Sequence, residues 1–200
     1  MEISAIDICN RALTEHLGIN PIASFDEKTA AARTCKQHYE NARRDALTGT
    51  LWGFASVWKA GTRLDVEVKK PWQYVYAYPP DAMRVFEIQR EFPGDPEIGF
   101  EVTDRPDNGA GKLIHTDHAA PVFIYSRDKD DPATFDQEFV TALAALLAHK
   151  MAMQLTKDVK LKQSSMQEYA RLRASAQSRT LNEGQKDEEP EGFHHRVRGL

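Results

Sequence analysis

Residues 115 to 118 carry the side chains that come nearest to a metal-binding pattern. They read His-Thr-Asp-His, and imidazole and carboxylate ligands two or three residues apart can converge on one ion. On a β-strand, however, His115 and Asp117 share one face while His118 points to the other. No third group of ligands accompanies them in the sequence, which favours a polar turn at the end of a strand. A metal-dependent hydrolase that uses His115, Asp117 and His118 is therefore kept only as an alternative function.

A second short pattern, Gly-Ala-Gly-Lys at residues 109 to 112, resembles part of a phosphate-binding loop. The match fails at two positions that phosphate binding requires. Pro106 occupies the position of the first glycine, and Leu113 occupies the position of the Ser or Thr that binds the metal. Asn108 followed by glycine is strong turn chemistry and favours a β-hairpin turn. No nucleophile-elbow pattern or Cys-His signature is present either. The sequence therefore predicts no catalytic residue, no bound metal and no cofactor.

Aromatic and basic residues raise a nucleic-acid alternative. Aromatic side chains are concentrated between residues 52 and 78, with Lys69 and Lys70 nearby, and such a set can stack unpaired bases. Aromatics at alternating strand positions more often form the core of a sheet. Residues 157 to 179 contain six basic side chains against Asp158 and Glu168. A nucleic-acid-binding accessory protein, contacting phosphates through this basic segment, is the second alternative.

The composition describes a globular chain with enough apolar residues for one substantial core. The chain has 200 residues, 41 % of them hydrophobic, and its formal net charge of −4 does not favour general nucleic-acid affinity. Cys9 and Cys35 fall at apolar positions of expected helices, where buried thiols are commoner than disulfides. The first residues lack the basic start and apolar run of a signal peptide. We expect synthesis in a cytoplasm and no membrane segment.

Helical periodicity defines four segments towards the two ends of the chain. Residues 132 to 157 are the most apolar, and Pro132 suits the first turn of a helix because its missing N–H has no intrahelical partner there. Ser4 with Asp7, and Ser24 with Glu27, have the spacing of a capping box. The predicted helices span residues 4 to 17, 24 to 47, 132 to 157 and 159 to 179.

The last predicted helix and the tail beyond it have less to bury. The helix carries a narrow apolar stripe on a polar background and should be half exposed. Residues 181 to 200 are largely polar before a closing Phe-His-His-Arg-Val-Arg-Gly-Leu, so we expect a flexible C-terminal arm after a single domain of residues 1 to 180. The predicted stripe consists of Val159, Met166, Tyr169, Leu172 and Ala176.

Between the second and third helices the pattern changes to short β-prone runs with a period near two. These runs span residues 53 to 126, include residues 63 to 68, and are separated by turn residues such as Pro79 and Pro80. The order of helix, sheet and helix lacks a repeated βαβ unit. It predicts an α+β fold, a bundle of about four helices with an inserted antiparallel sheet or meander.

The order of particular residues along most of the chain resembles one known family. They are Ile8-Cys9-Asn10, Ala12-Leu13, Leu17-Gly18 and Pro21-Ile22; then Ala32, Cys35, Tyr39, Arg43, Leu47, Trp52 and Phe54-Ala55; then Trp72, Tyr74, Tyr76, Pro79 and Asp81; and finally Phe135, Phe139, Ala142-Leu143-Ala144 and Leu155-Thr156. Over about residues 2 to 180 the chain thereby resembles the bacteriophage tail tubular protein A family of head-to-tail adaptors. The tail after residue 180 matches least.

This resemblance implies a structural virion protein of short-tailed phages and no enzymatic role. Such adaptors form a ring, usually a dodecamer, that docks on the portal protein and carries the tail nozzle protein, and double-stranded DNA passes through it without sequence-specific binding. The implied location is the neck of the virion, after synthesis in the bacterial cytoplasm. The implied portal-docking arm comprises Phe193, His194, His195, Arg196, Val197, Arg198 and Leu200. The residues expected to contact a neighbouring subunit or the portal are Lys160, Lys162, Tyr169, Arg171 and Arg173.

Overall fold

The computed structural model describes residues 3 to 92, 94 to 105 and 111 to 183. Within these ranges, four α-helices flank six short strands that form two antiparallel sheets. The predicted α+β class is therefore confirmed. The helices precede and follow the strands along the chain, in the predicted order.

The first helix, α1 (Ala5–Arg11), begins with the capping box that the sequence predicted. The Ser4 hydroxyl accepts a hydrogen bond from the Asp7 N–H at 3.2 Å, and the Asp7 carboxylate accepts one from the Ser4 N–H at 2.9 Å. A π-helical turn, Ala12–His16, continues the helix, and Gly18 follows with a positive φ of 64°. The expected helix over residues 4 to 17 is confirmed, although its last turn is π-helical.

The second helix, α2 (Ala30–Gly49), begins later than predicted. Its N-cap is Thr29, whose hydroxyl accepts a hydrogen bond from the Ala32 N–H at 3.1 Å. Ser24 and Glu27 do interact, because the Glu27 carboxylate accepts the Ser24 N–H at 3.1 Å, but they close a turn ahead of the helix. The prediction that α2 starts at residue 24 is wrong because this spacing also occurs in a turn that no helix follows directly.

The third helix, α3 (Gln137–Leu155), is preceded by a separate 3-10 turn, Pro132–Thr134. The single helix predicted from residue 132 is therefore wrong at its start. Phe135 is extended, with φ −80° and ψ 135°, and interrupts the helical path. Its ring centroid lies 4.9 Å from that of Phe139 and 5.6 Å from that of Phe54. This aromatic cluster accompanies the break.

Helix α3 forms the centre of the larger core. It contacts α1, α2 and the last helix, and Leu143, Leu147 and Met151 have no exposed side-chain surface. Cys9 and Cys35 are free and buried in the same core, as the sequence predicted. Because α3 is covered on almost all sides, its apolar residues drive the packing of the bundle.

The fourth helix, α4 (Val159–Glu183), packs along α3 after a turn in which Lys157 has a φ of 58°. It extends beyond the predicted end at residue 179. Its predicted stripe is wrong at two of five positions, because Val159 and Met166 are 53 % and 40 % exposed. Packing against α3 rotates the helix so that its inward face consists of Leu161, Ser165, Tyr169, Leu172 and Ala176.

The strands form two sheets instead of the single sheet or meander that was predicted. One sheet has the order β1-β6-β3 and the other β2-β5-β4, with every neighbouring pair antiparallel. The run at residues 63 to 68 forms no strand and makes only a bridge between Arg63 and Tyr76. The strands are β1 (Ser56–Ala60), β2 (Tyr74–Ala77), β3 (Ala82–Ile88), β4 (Phe100–Asp104), β5 (Lys112–Thr116) and β6 (Val122–Arg127).

The sheets enclose a smaller core of their own. Tyr76, Ile88, Ile114 and Phe123 are almost completely buried in it, and the rings of Tyr76 and Phe123 meet edge to face with centroids 5.9 Å apart. This cluster is separate from the core around α3. The described residues therefore form two cores, a helical one around α3 and a smaller one between the sheets.

Candidate assembly surfaces

The outer side of α4 holds most of the predicted contact residues in the described part of the chain. We call this side the α4 face and define it by seven exposed residues: Val159, Lys160, Met166, Ala170, Arg171, Arg173 and Ala174. Lys162, also predicted as a contact, is half-buried at its border. The α4 face therefore carries apolar and cationic side chains, and the exposed polar residues Gln163 and Gln167 lie among them.

Tyr169 does not belong to this surface. Its side chain is only 4 % exposed and points towards the end of α2, where a Cβ atom on Gly49 would lie 2.8 Å from the Tyr169 hydroxyl oxygen. Burial raises the pKa of the Tyr169 hydroxyl. Contrary to the sequence-based expectation of a contact residue, Tyr169 attaches α4 to α2 within its own subunit.

The cations of the α4 face differ in how far they are already paired. The Arg171 guanidinium donates to both carboxylate oxygens of Glu168, at 2.9 and 2.6 Å, and these bonds lower the pKa of Glu168. Lys160 and Arg173 form no ion pair with any side chain that the structure describes. The Arg173 guanidinium carbon lies 6.0 Å from the centroid of the Tyr169 ring, so this side chain already has a partner within its own subunit. Lys160 is the cation that the α4 face can offer to a carboxylate or phosphate on another molecule.

A cleft between the helical and β portions is a second candidate surface. It has a volume of about 310 Å³ and lies where the end of α2, the strands β3 and β4, and α4 approach one another. We call it the β3 cleft and define it by its lining residues: Gly49, Thr50, Leu51, Arg84, Phe86, Glu87, Ile88, Arg90, Glu97, Ile98, Phe100 and Gln177. Sequence reasoning missed this cleft because its lining residues lie in distant parts of the chain.

The residues of the metal alternative have separate roles in the fold. His115 lies on β5, is 2 % exposed, and its Nε2 is 3.0 Å from the Thr103 hydroxyl oxygen. The Asp117 carboxylate accepts the Gln73 N–H at 3.0 Å, and His118 Nδ1 accepts the N–H of Ala120. Among the described residues, no three His, Cys, Asp or Glu side chains are grouped as metal ligands. The geometry does not assemble a hydrolase site from these three residues.

The expected docking arm lies outside the described residues, which end at residue 183. This applies to every residue predicted for that arm, from Phe193 to Leu200. The structure does describe where the arm begins, because α4 runs past Gln177 and the β3 cleft before it reaches Glu183.

Comparison with known proteins does not assign the chain to a family. The sequence matches no protein-family model, and no curated protein matches it significantly. Within the described ranges, no helix combines the length and the apolar character needed to cross a membrane.

Proposed function

We propose that this chain is a head-to-tail adaptor of a short-tailed bacteriophage, similar to the tail tubular protein A family. In this proposal its copies form a ring, a dodecamer in the virion, that docks on the portal protein and carries the tail nozzle protein. Double-stranded DNA passes through the ring without sequence-specific binding. The chain acts as a structural part of the virion neck and has no catalytic residues.

The observation that carries the proposal is the uneven covering of α4. This helix has 25 residues and contributes one side to the core, while Val159 and Met166 on the α4 face are 53 % and 40 % exposed. A subunit that leaves a helix face uncovered gains burial when another copy packs against it, and head-to-tail packing of identical copies closes into a ring when the rotation allows it.

The residues behind the family resemblance support the same proposal. Many of them build the helical core: Cys9, Leu13, Cys35, Leu47, Trp52, Phe139 and Leu143 are at most 3 % exposed. The resemblance therefore concerns the packing of the bundle, which is the part that would form the wall of a ring. In this proposal the β portion contacts neighbouring subunits and the nozzle. Its exposed residues include Trp58, which is 58 % exposed on the edge strand β1.

The proposal is tested by electron microscopy of the purified chain alone and mixed with portal proteins from several short-tailed phages. We expect rings seated on the portal in the mixture. A chain that remains unattached to the portal at micromolar concentration would contradict the proposal. The same images report whether rings form before the portal is added, and the number of subunits in each ring.

A nucleic-acid-binding accessory protein is the second candidate, and the exposed Lys160 and Arg173 on the α4 face, which form no ion pair with a described side chain, favour it. This candidate predicts that the isolated chain binds double-stranded DNA at low salt and that the affinity falls steeply as salt rises. Absence of binding at 50 mM salt would dismiss it and leave the adaptor proposal unaffected. The enzyme alternative has no comparable support, because His115, Asp117 and His118 are each engaged elsewhere.

A further inference from the structure

The floor of the β3 cleft is apolar and only partly covered. Ile88 is buried at its base, while Leu51, Phe86, Ile98 and Phe100 are half-buried around it. These five side chains come from the end of α2, from β3 and from the region of β4. A cleft of about 310 Å³ with such a floor has room for one or two apolar side chains of a bound segment.

The charges at the rim of the cleft are not equivalent. The Arg84 guanidinium donates to the Thr48 carbonyl oxygen at 3.0 Å and lies 4.9 Å from the centroid of the Phe86 ring. Arg90 donates to the Asp95 carbonyl oxygen at 3.0 Å and has Glu87 as an ionic partner at 3.9 Å. Glu97 is exposed and forms no ion pair with another described residue. The arginines at the rim therefore already have partners within the chain, and the Glu97 carboxylate can pair with a cation from another segment.

The C-terminal arm has the complementary composition and starts nearby. Residues 193 to 200 contain the apolar Phe193, Val197 and Leu200 and the cations Arg196 and Arg198, with no acidic side chain. Gln177 lines the cleft, and α4 continues for six residues to Glu183, which is about 9 Å at the rise of an α-helix. The segment from 184 to 192 spans up to about 30 Å when extended, so residue 193 can return to the cleft.

The residues between the helix and the arm are acidic. Residues 187 to 191 include Asp187, Glu188, Glu189 and Glu191, whereas α4 has more basic than acidic side chains. The charges are therefore complementary at both places. The acidic residues 187 to 191 match the basic α4, and the basic, apolar residues 193 to 200 match the cleft with its Glu97 carboxylate. Attachment in the same chain also gives the arm a high effective concentration at the cleft.

We propose that residues 193 to 200 bind the β3 cleft of their own subunit, with apolar side chains on the floor and an arginine paired with Glu97. This contact exists within one chain and needs no portal. If the arm also docks on the portal, as the proposed function has it, the cleft holds the arm until a portal displaces it. The cleft then prevents the arms of free subunits from contacting one another.

Cysteine crosslinking in the full chain tests this contact. The test pair is Ile98→Cys with His195→Cys, and the control pair is Lys28→Cys with His195→Cys. Lys28 is exposed and precedes α2, a helix of 20 residues, so it lies about 30 Å from the end of α2 at the cleft. The native Cys9 and Cys35 are buried, which limits their participation. With mild oxidation of dilute protein, we expect the test pair to form an intramolecular disulfide at least tenfold faster than the control pair does.

Charge reversal tests the pairing with Glu97 separately from the distance that the arm can span. Glu97→Lys should slow crosslinking of the test pair about fivefold, and adding Arg196→Glu and Arg198→Glu should restore the rate. Glu91→Lys, an exposed site outside the cleft lining, is the matched control and should leave the rate unchanged. Circular dichroism establishes that every variant is folded.

Two results would overturn the inference. The first is crosslinking of the test and control pairs at the same rate. The second is a crosslinked product that is dimeric and increases with protein concentration, since that assigns the cleft to the arm of another copy. Neither result bears on ring formation with the portal, so this test and the electron microscopy of the proposed function can fail independently.

Discussion

Arg43 on α2 and Asp128, just after β6, join the helical core to the β portion through a buried guanidinium. The Arg43 side chain is 2 % exposed and donates to the Asp128 carboxylate and to the Lys129 carbonyl oxygen. Glu40, one turn earlier on α2, accepts a further hydrogen bond at 2.8 Å. The carboxylates are partly exposed and remain hydrated, whereas the guanidinium depends on these partners.

Replacing this arginine should therefore weaken the whole fold. Arg43→Met preserves much of the volume but removes the hydrogen bonds to Asp128 and Lys129, and we expect the free energy of unfolding to fall by about 1 to 3 kcal/mol. Arg44→Met is the control, because Arg44 also pairs with Asp128 but is 60 % exposed, and it should cost less than about 1 kcal/mol. Urea unfolding measures both. Equal effects of the two substitutions would contradict the buried linkage.

The close approach of Gly49 to Tyr169 makes a second prediction about the α2–α4 contact. Gly49→Ala should destabilise the chain by about 1 to 3 kcal/mol, because its Cβ would lie 2.8 Å from the Tyr169 hydroxyl oxygen. Adding Tyr169→Phe removes that oxygen, and the next neighbour, Arg173 Cδ, is at an ordinary 3.7 Å. A double-mutant cycle from thermal or urea unfolding should show favourable coupling. Additive effects would mean that the two residues do not meet.

The central position of α3 predicts a sharp contrast between two substitutions on one helix. Leu147→Asp places a charge where the side chain has no exposed surface, so we expect the subunit to be unfolded or insoluble. Met153→Asp, at a position 40 % exposed, should change the free energy of unfolding by less than about 1 kcal/mol. Circular dichroism and thermal melting distinguish the two. A normally melting Leu147→Asp variant would show that α3 is not the core helix.

The α4 face is expected to act in assembly and to matter little for folding. Met166→Asp should leave the melting temperature of the free chain within a few degrees and reduce the fraction of portal particles that carry a ring at least tenfold. Val66→Asp is the matched control, since both residues are 40 % exposed and Val66 lies in the β portion. If the two variants attach to portal particles equally well, the α4 face is not the subunit interface.

Two histidines predict a loss of stability in mild acid. Burial lowers the pKa of His115 and of His16. Below about pH 6.5 the unfolded chain therefore binds more protons at these histidines than the folded chain does. As a result, the free energy of unfolding is highest above that pH and falls as the pH decreases. Between pH 7 and 5, His115→Gln should reduce the dependence of the free energy of unfolding on pH by up to about 1.4 kcal/mol per pH unit.

The measurement is urea unfolding at several pH values for the wild-type chain and the His115→Gln variant. A His115→Gln variant with an unchanged slope would assign the acid sensitivity to other groups. His16 contributes in the same direction and should leave a residual slope in the His115 variant.

Local sequence determined the features whose energy comes from neighbouring residues or from hydrophobicity alone. The Ser4 and Asp7 capping box, the buried run of α3 from residue 137 and six of the seven β-prone runs appear where their patterns predicted them, while the run at residues 63 to 68 forms no strand. Capping needs only residues three apart, and an apolar helix is buried in any compact fold of this chain. These features were sufficient for the α+β class.

Only the tertiary structure decided how those elements meet. The capping pattern at Ser24 closes a turn, Phe135 interrupts the predicted helix, and β6 inserts between β1 and β3 to form one of two sheets. The phase of α4 depends on α3, which buries Ser165 and leaves Met166 exposed. The β3 cleft and the Arg43 linkage also join residues distant in the chain. Long-range packing selects among local alternatives of similar energy, so periodicity and spacing did not predict either the surfaces proposed for assembly or the cleft proposed for the arm.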